Sequence, residues 1–151
     1  MRQAVHEFKY RGVRVLAGPL AGLVSDYAAA QRLPAGVLVP VPTSRRRRRE
    51  RGFNPAGLLA RALAARLQLP VVSDCLVRTG DTPPQARAVS LEERRRNVSR
   101  AFTCQDGRLS GQPVLLVDDV VTSGATMDAC AVALKAAGAA SVWGLALARE
   151  V

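Results

Sequence analysis

The sequence has 151 residues, 48% of them hydrophobic, enough for one ordinary domain that buries roughly 70% of its unfolded surface without disulfides or a structural metal. No apolar run approaches the roughly 18 residues of a spanning helix, which excludes membrane insertion. Three scattered cysteines, Cys75, Cys104 and Cys130, contain no Cys-x-x-Cys, which excludes a zinc ribbon within the sequence and points to a reducing, cytoplasmic setting. The net charge of +10 is carried by 20 Arg and 2 Lys against 12 acidic residues, and it suggests a polyanionic partner or a phosphorylated ligand.

The chain opens with a basic-aromatic cluster, His6, Phe8, Lys9, Tyr10 and Arg11, closed by Gly12. His6 reads as a packing residue. Leu20, Leu23, Val24 and Tyr27 recur at helical spacing, with Pro19 as the start and Arg32 near the C-terminal end. Val37, Leu38 and Val39 predict the first core strand, which ends in a stiff Pro40-Val41-Pro42 turn. Arg45 to Arg49, Glu50 and Arg51 then read as a self-repelling loop. It is either solvated, or it grips an anion or nucleic acid. Asn54-Pro55 predicts a helix start with Asn54 as cap, and Leu58, Leu59, Leu63 and Leu67 predict its buried stripe.

Val71-Val72 and Leu76-Val77 are short strand candidates. A polar excursion follows from Arg78 to Cys104, with a capping box at Ser90-Leu91-Glu92-Glu93 and Arg94 to Arg96 behind it. Its composition suits a lid or an ordinary surface loop equally. Ala101-Phe102-Thr103 resumes a strand.

The chemistry concentrates between Val114 and Thr126. Val114 to Val117 read as a strand buried on both faces that ends in Asp118 and Asp119. Thr122, Ser123, Gly124, Ala125 and Thr126 then turn into a helix carrying Met127, Ala131, Leu134 and Ala137, which Gly138 terminates. A helix N-terminus offers unpaired backbone N–H groups and a favourable dipole to a phosphate. Two carboxylates suit donor hydroxyls or a hard cation. A phosphate at one end and hydroxyls at the other describe a ribose 5-phosphate. Val142, Trp143, Leu145, Leu147 and Ala148 predict the last strand.

This thirteen-residue order resembles the phosphoribosyl pyrophosphate motif of type I phosphoribosyltransferases. The resemblance implies an α/β fold, an open, mostly parallel sheet with helices on both faces. It implies one domain over 1–151, with 78–104 as a lid or hood. It also implies that Asp118, Asp119, Val121, Thr122, Ser123, Gly124, Ala125 and Thr126 bind phosphoribosyl pyrophosphate. Mg²⁺ would be the cofactor, held indirectly by Asp118 and Asp119 through ribose or water. Thr43, Ser44 and Arg45 would meet the pyrophosphate.

His6 to Gly12, Pro40-Val41-Pro42 and Arg51-Gly52-Phe53-Asn54 extend the resemblance to the ComF family of DNA-uptake proteins. Gln85, Leu91, Arg95, Asn97 and Phe102 extend it further. It implies a role in natural transformation, with single-stranded DNA and DNA-uptake proteins as partners. Lys9, Arg46, Arg47, Arg48, Arg49, Arg51 and Phe53 are the expected nucleic-acid contacts. Three features depart from the family: Pro55 follows Arg-Gly-Phe-Asn where Gln is usual, Thr43-Ser44 replaces Leu-His, and no zinc ribbon precedes His6. The alternative reading is a nucleotide-salvage phosphoribosyltransferase. No dedicated nucleophile or general base is apparent under either reading.

Overall fold

Hydrophobic alternation along two strands organises the molecule. A computed structural model describes residues 16–79 and 101–150. Strand β1 (Val37–Pro40) and strand β4 (Pro113–Val121) run parallel, with Leu38 opposite Leu115 and Pro40 opposite Val117. Strand β5 (Ser141–Arg149) lies parallel on the other side of β4, giving the order β1-β4-β5. Val71 adds one parallel bridge to Leu38 and no full strand. Strand β2 (Leu76–Arg78) and strand β3 (Phe102–Cys104) form a separate antiparallel pair. The Thr79 N–H donates to the Ala101 carbonyl at 2.8 Å.

Successive strand side chains point to opposite faces. Val37, Val39, Val114 and Leu116 therefore pack with Leu76, Phe102, Cys130 and Leu134. Leu38, Leu115 and Val117 pack on the other face with Leu20, Val24, Leu59 and Leu63. Helix α1 (Ala17–Ala30) and helix α3 (Pro55–Leu67) supply that second face, and helix α4 (Ala125–Ala136) covers the first. Burying each such Leu or Val stabilises the fold by roughly 1.5–3 kcal/mol. The sheet is thus parallel and covered on both faces, as the sequence predicted.

Several local expectations are corrected. Helix α1 begins at Ala17, with Pro19 inside its first turn, where a missing N–H costs nothing. Its buried stripe is Leu20, Ala21, Val24 and Ala28, while Leu23 and Tyr27 are exposed. Small alanines line the seam because α1 lies close against α3. On α3 the stripe is Ala56, Leu59, Ala60 and Leu63, with Leu58 and Leu67 only half-buried. On α4 it is Ala129, Cys130, Ala133 and Leu134.

The arginine run is a helix, α2 (Arg45–Arg51), rather than a loop. Ser44 Oγ accepts the Arg47 N–H at 3.3 Å and caps its start. Arg46 pairs with Glu50 at 2.8 Å one turn on. Gly52, at φ +73°, closes the end by donating to the Arg48 carbonyl. Arginine is a good helix former, and these caps offset the mutual repulsion. Asn54 does not cap α3 with its side chain. Its Nδ2 instead donates to the Val41 carbonyl at 3.0 Å and ties the arginine segment to β1.

The predicted lid falls largely on residues 80–100. With Ser90 to Glu93, Gln85, Arg95 and Asn97, it lies outside the described residues, as do Lys9 and the rest of the His6 to Gly12 cluster.

The three cysteines are free thiols. Burial, with the neighbouring Cys104 thiol second, pushes Cys75 from 9.0 up to about 12. Burial, then the Asp118 charge, does the same to Cys130. A thiol held neutral by the fold stabilises it fully below the unfolded value near 9.0 and loses that contribution as pH rises toward about 12. Stability to urea is expected to fall between about pH 8 and pH 10, one unit either side of the unfolded value of 9.0, where the unfolded thiol ionises and the folded one does not. The fall should be shallower in a Cys130→Ala variant. Equal slopes in parent and variant would show that the buried thiol is not the cause.

Candidate phosphoribosyl pyrophosphate site

Parallel strands bring their C-terminal ends to one sheet edge, where open α/β sheets bind ligands. The turn after β1 and the turn after β4 therefore open side by side. The Val41 N–H donates to the Val117 carbonyl at 2.8 Å, keeping the two chains in register to that edge.

Strand β4 does not end at the carboxylates as the sequence suggested. It continues through Val120 and Val121, opposite Ala148 and Arg149 of β5, so Asp118 projects from paired backbone opposite Ala146 and Asp119 lies within the strand. Asp118 follows Val114 and Leu116 on the α4 side, near Cys130. One of its oxygens accepts the Asp119 N–H at 2.8 Å. Asp119 is half-buried, and its Oδ2 is fully buried with no hydrogen-bond partner among the described residues. An unpaired buried acceptor costs roughly 1–3 kcal/mol, which a donor hydroxyl from a ligand would recover.

The chain then turns at Gly124, whose φ of +83° is left-handed backbone that favours glycine. Ser123 Oγ accepts the Ala125 N–H at 3.4 Å. The first turn of α4 points its remaining amides out of the helix. Asp118, Val121 and the Thr122–Thr126 turn line a small cradle of about 50 Å³ with Met127 as one wall. Met127 is seated over Gly144 of β5, where a Cβ would meet its sulfur at 2.8 Å. That close packing fixes the first turn of α4 against the sheet.

A larger cavity of about 600 Å³ is lined by Pro42, Thr43, Arg45, Arg48 and Asn54 on one wall. Ser73, Asp74 and the β2 residues Leu76 to Arg78, with Thr79, form the other. Of the three predicted pyrophosphate residues, Thr43 and Arg45 line this cavity, and Ser44 is occupied as the α2 cap. The predicted nucleic-acid set divides. Arg48 turns into the cavity, Arg46 pairs with Glu50, and Arg47 and Arg49 are exposed. Arg51 and Phe53 are half-buried.

Sequence reasoning missed Asp74 and Arg78 as cavity residues. Arg78 stands at the start of a segment read only as an excursion, and its position depends on the β2–β3 pairing. Its guanidinium lies over the Phe102 ring at 5.6 Å. Asp74 is held by Arg108 at 2.7 Å.

Among the described residues no group of three or more His, Cys, Asp or Glu side chains could cage a metal. The donors present, two adjacent carboxylates, fit an Mg²⁺ that takes its other oxygens from substrate phosphates and water.

The fold and the two turns define a type I phosphoribosyltransferase scaffold. The family described as "Phosphoribosyl transferase domain" matches residues 49–149, and the chain belongs to it. Glutamine phosphoribosylpyrophosphate amidotransferase from B. subtilis, solved with ADP and GMP, superposes at a TM-score of 0.64 and 20% identity. The match covers 93% of this chain and 30% of that one, and shows the shared fold.

Competence protein F of Haemophilus influenzae is 35% identical over 121 residues, 78% of this chain and 52% of the relative. DNA utilization protein YhgH of Escherichia coli is 33% identical over 143 residues, 91% of this chain and 62% of the relative. The resemblance to ComF proteins read from the sequence is therefore met by relatives of that kind. The chain spans about half to three-fifths of their length.

Proposed function

We propose that this chain binds Mg-phosphoribosyl pyrophosphate at the β4–α4 turn and serves DNA uptake in the cytoplasm, with single-stranded DNA on the exposed arginines of α2. The observation that carries the ligand assignment is the Thr122–Thr126 cradle with Asp118 in its lining, next in the chain to Asp119, whose buried Oδ2 has no hydrogen-bond partner among the described residues. The cradle amides and the hydroxyls of Thr122, Ser123 and Thr126 would take the 5-phosphate. Asp118 and Asp119 would accept the ribose hydroxyls, and Thr43, Ser44 and Arg45 would meet the pyrophosphate. Bound Mg²⁺ would supply charge neutralisation between the ribose and the pyrophosphate oxygens.

If the chain is a transferase, its residues act by position and field. The cradle and the two carboxylates fix the sugar, while Arg45 stabilises the charge on the departing pyrophosphate. A thermal-shift titration with phosphoribosyl pyrophosphate and Mg²⁺ tests the site, and no shift at any concentration would refute it.

The names of the relatives support the role in DNA uptake. The exposed Arg47 and Arg49 support the nucleic-acid contact. Few aromatics are available for stacking, so phosphate contacts dominate this reading. Affinity for an oligothymidylate is expected to fall with salt at a log–log slope of about −0.7 per phosphate contacted. Arg47→Glu with Arg49→Glu should flatten that slope by roughly one to two contacts. A slope unchanged in the variant would place the strand elsewhere.

A further inference from the structure

We propose that Cys75 and Cys104 form a reversible dithiol–disulfide pair that staples β2 to β3, the ladder that carries one wall of the 600 Å³ cavity. The inference does not rest on the phosphoribosyl pyrophosphate reading.

Three features of the fold bring the two sulfurs together. The first is register. Leu76 of β2 stands directly opposite Cys104 of β3, so Cys75 is one residue away from that pairing. Directly opposed residues in an antiparallel pair lie roughly 4.5–5.5 Å apart, and one further step adds a rise of roughly 3.4 Å across that line. The Cα atoms of Cys75 and Cys104 are therefore roughly 5.5–6.5 Å apart, inside the window of about 4.4–6.8 Å that a disulfide spans.

The second feature is direction. A regular strand would point Cys75 away from the side of Leu76. Cys75 lies instead in the bend before β2, and both residues are buried in the cluster against which Cys104 packs. The third is an ion-pair clip. Arg108 donates at 2.7 Å to Asp74, the residue before Cys75, and at 2.7 Å to Asp106, two residues after Cys104. It holds the two thiol-bearing segments side by side. Beyond its burial, the groups that act on the Cys75 thiol are Cys104 and Asp106. Beyond its own burial, Cys130 is acted on by Asp118 and Arg78 and by no thiol.

Exposure assigns the order of events. Cys104 is half-buried, Cys75 is 5% exposed and Cys130 is fully buried. A small oxidant therefore reaches Cys104 first. With hydrogen peroxide, the Cys104 sulfur attacks one peroxide oxygen, the O–O bond breaks, and a sulfenic acid and one water form. The Cys75 sulfur then attacks the Cys104 sulfur. The S–S bond forms, the S–O bond breaks, and the Cys75 proton leaves with the hydroxyl as a second water. The thiols are oxidised by two electrons and the peroxide is reduced by the same two. In a reducing setting the pair rests as thiols, the pattern of transient, redox-sensing disulfides. Because Leu76, Val77 and Arg78 line the cavity, the bond fixes that wall against β3.

The reduced full chain can be treated with hydrogen peroxide and mapped by mass spectrometry. It is expected to lose two of its three thiols, with one Cys75–Cys104 crosslinked peptide and an unmodified Cys130. Dithiothreitol should restore all three thiols. The oxidised chain should melt about 4–16 °C above the reduced one. In Cys75→Ser, Cys104 should go on to sulfenic and sulfinic acid. In Cys104→Ser, a change at a half-buried position, Cys75 should stay a free thiol. Cys75 oxidised there as fast as in the parent would overturn the order assigned. Survival of all three thiols in peroxide, a link that includes Cys130 or joins two chains, or a link that forms only in urea would overturn the pairing. An oxidised chain that melts at or below the reduced one would show that the native ladder does not accept the bond, and would overturn it too.

Discussion

Exchanging Asp118 and Asp119 together for asparagine is expected to abolish the thermal stabilisation that phosphoribosyl pyrophosphate with Mg²⁺ gives the parent chain. At ligand near one hundred times Kd, binding to the native state alone stabilises by about 2.7 kcal/mol. For a chain of 151 residues that is a rise in Tm of roughly 5–11 °C. Asparagine keeps the shape of the side chain, so packing at the end of β4 is retained. It replaces one acceptor oxygen with a donor, and ribose hydroxyls then meet an N–H where they need a lone pair. The effect on the unliganded protein should be small, because Asp119 Oδ2 has no partner to lose among the described residues and an asparagine oxygen at position 118 can still accept the N–H of residue 119. Loss of the ligand shift at an unchanged basal Tm is the diagnostic result. A double variant that keeps the full shift would remove the carboxylates from the site.

The largest effect on the fold itself is expected at Leu115. It is fully buried in the middle of β4, between Leu38 of β1 and Trp143 of β5, and packs on the α1–α3 side. Two flanking strands prevent the backbone from closing on a cavity there. Leu115→Ala should therefore cost about 2–5 kcal/mol, or a fall in Tm of roughly 4–20 °C. Leu23→Ala makes the same chemical change at a residue 53% exposed on α1 and should stay within about 0.5 kcal/mol of the parent. Urea denaturation of both variants tests whether burial, rather than helical spacing, sets the cost. Similar losses at the two positions would contradict the packing described for α1.

The comparison of Leu115 with Leu23 also marks how far the sequence could be read. Val114 to Val117 could be assigned as a doubly buried strand because an unbroken apolar run between turn residues fits little else. Gly124 could be placed in the turn that opens a helix because the order of acids, hydroxyls and glycine around it is specific. The fold class followed from that order. The faces of α1 and α4 could not be assigned in the same way. Leucine, alanine and tyrosine satisfy several helical stripes at once, and only the seam with α3 and the sheet selects Leu20, Ala21 and Val24 over Leu23 and Tyr27.

The same distinction holds at the site. The sequence by itself marked Asp118 to Thr126 as the candidate segment for phosphate and ribose chemistry, since these residues are contiguous and their chemistry is local. The structure shows that the arginines after Ser44 form a helix, an outcome of local caps that the charge run concealed in the sequence. There, capping by Ser44 and closure at Gly52 outweigh a repulsion that composition alone overstates. Only the tertiary structure brought Arg48 and Arg78 to one cavity. They are thirty residues apart in the chain, and their meeting depends on where β1 ends and on the β2–β3 pairing. Contacts between distant segments are set by packing, which no local pattern encodes.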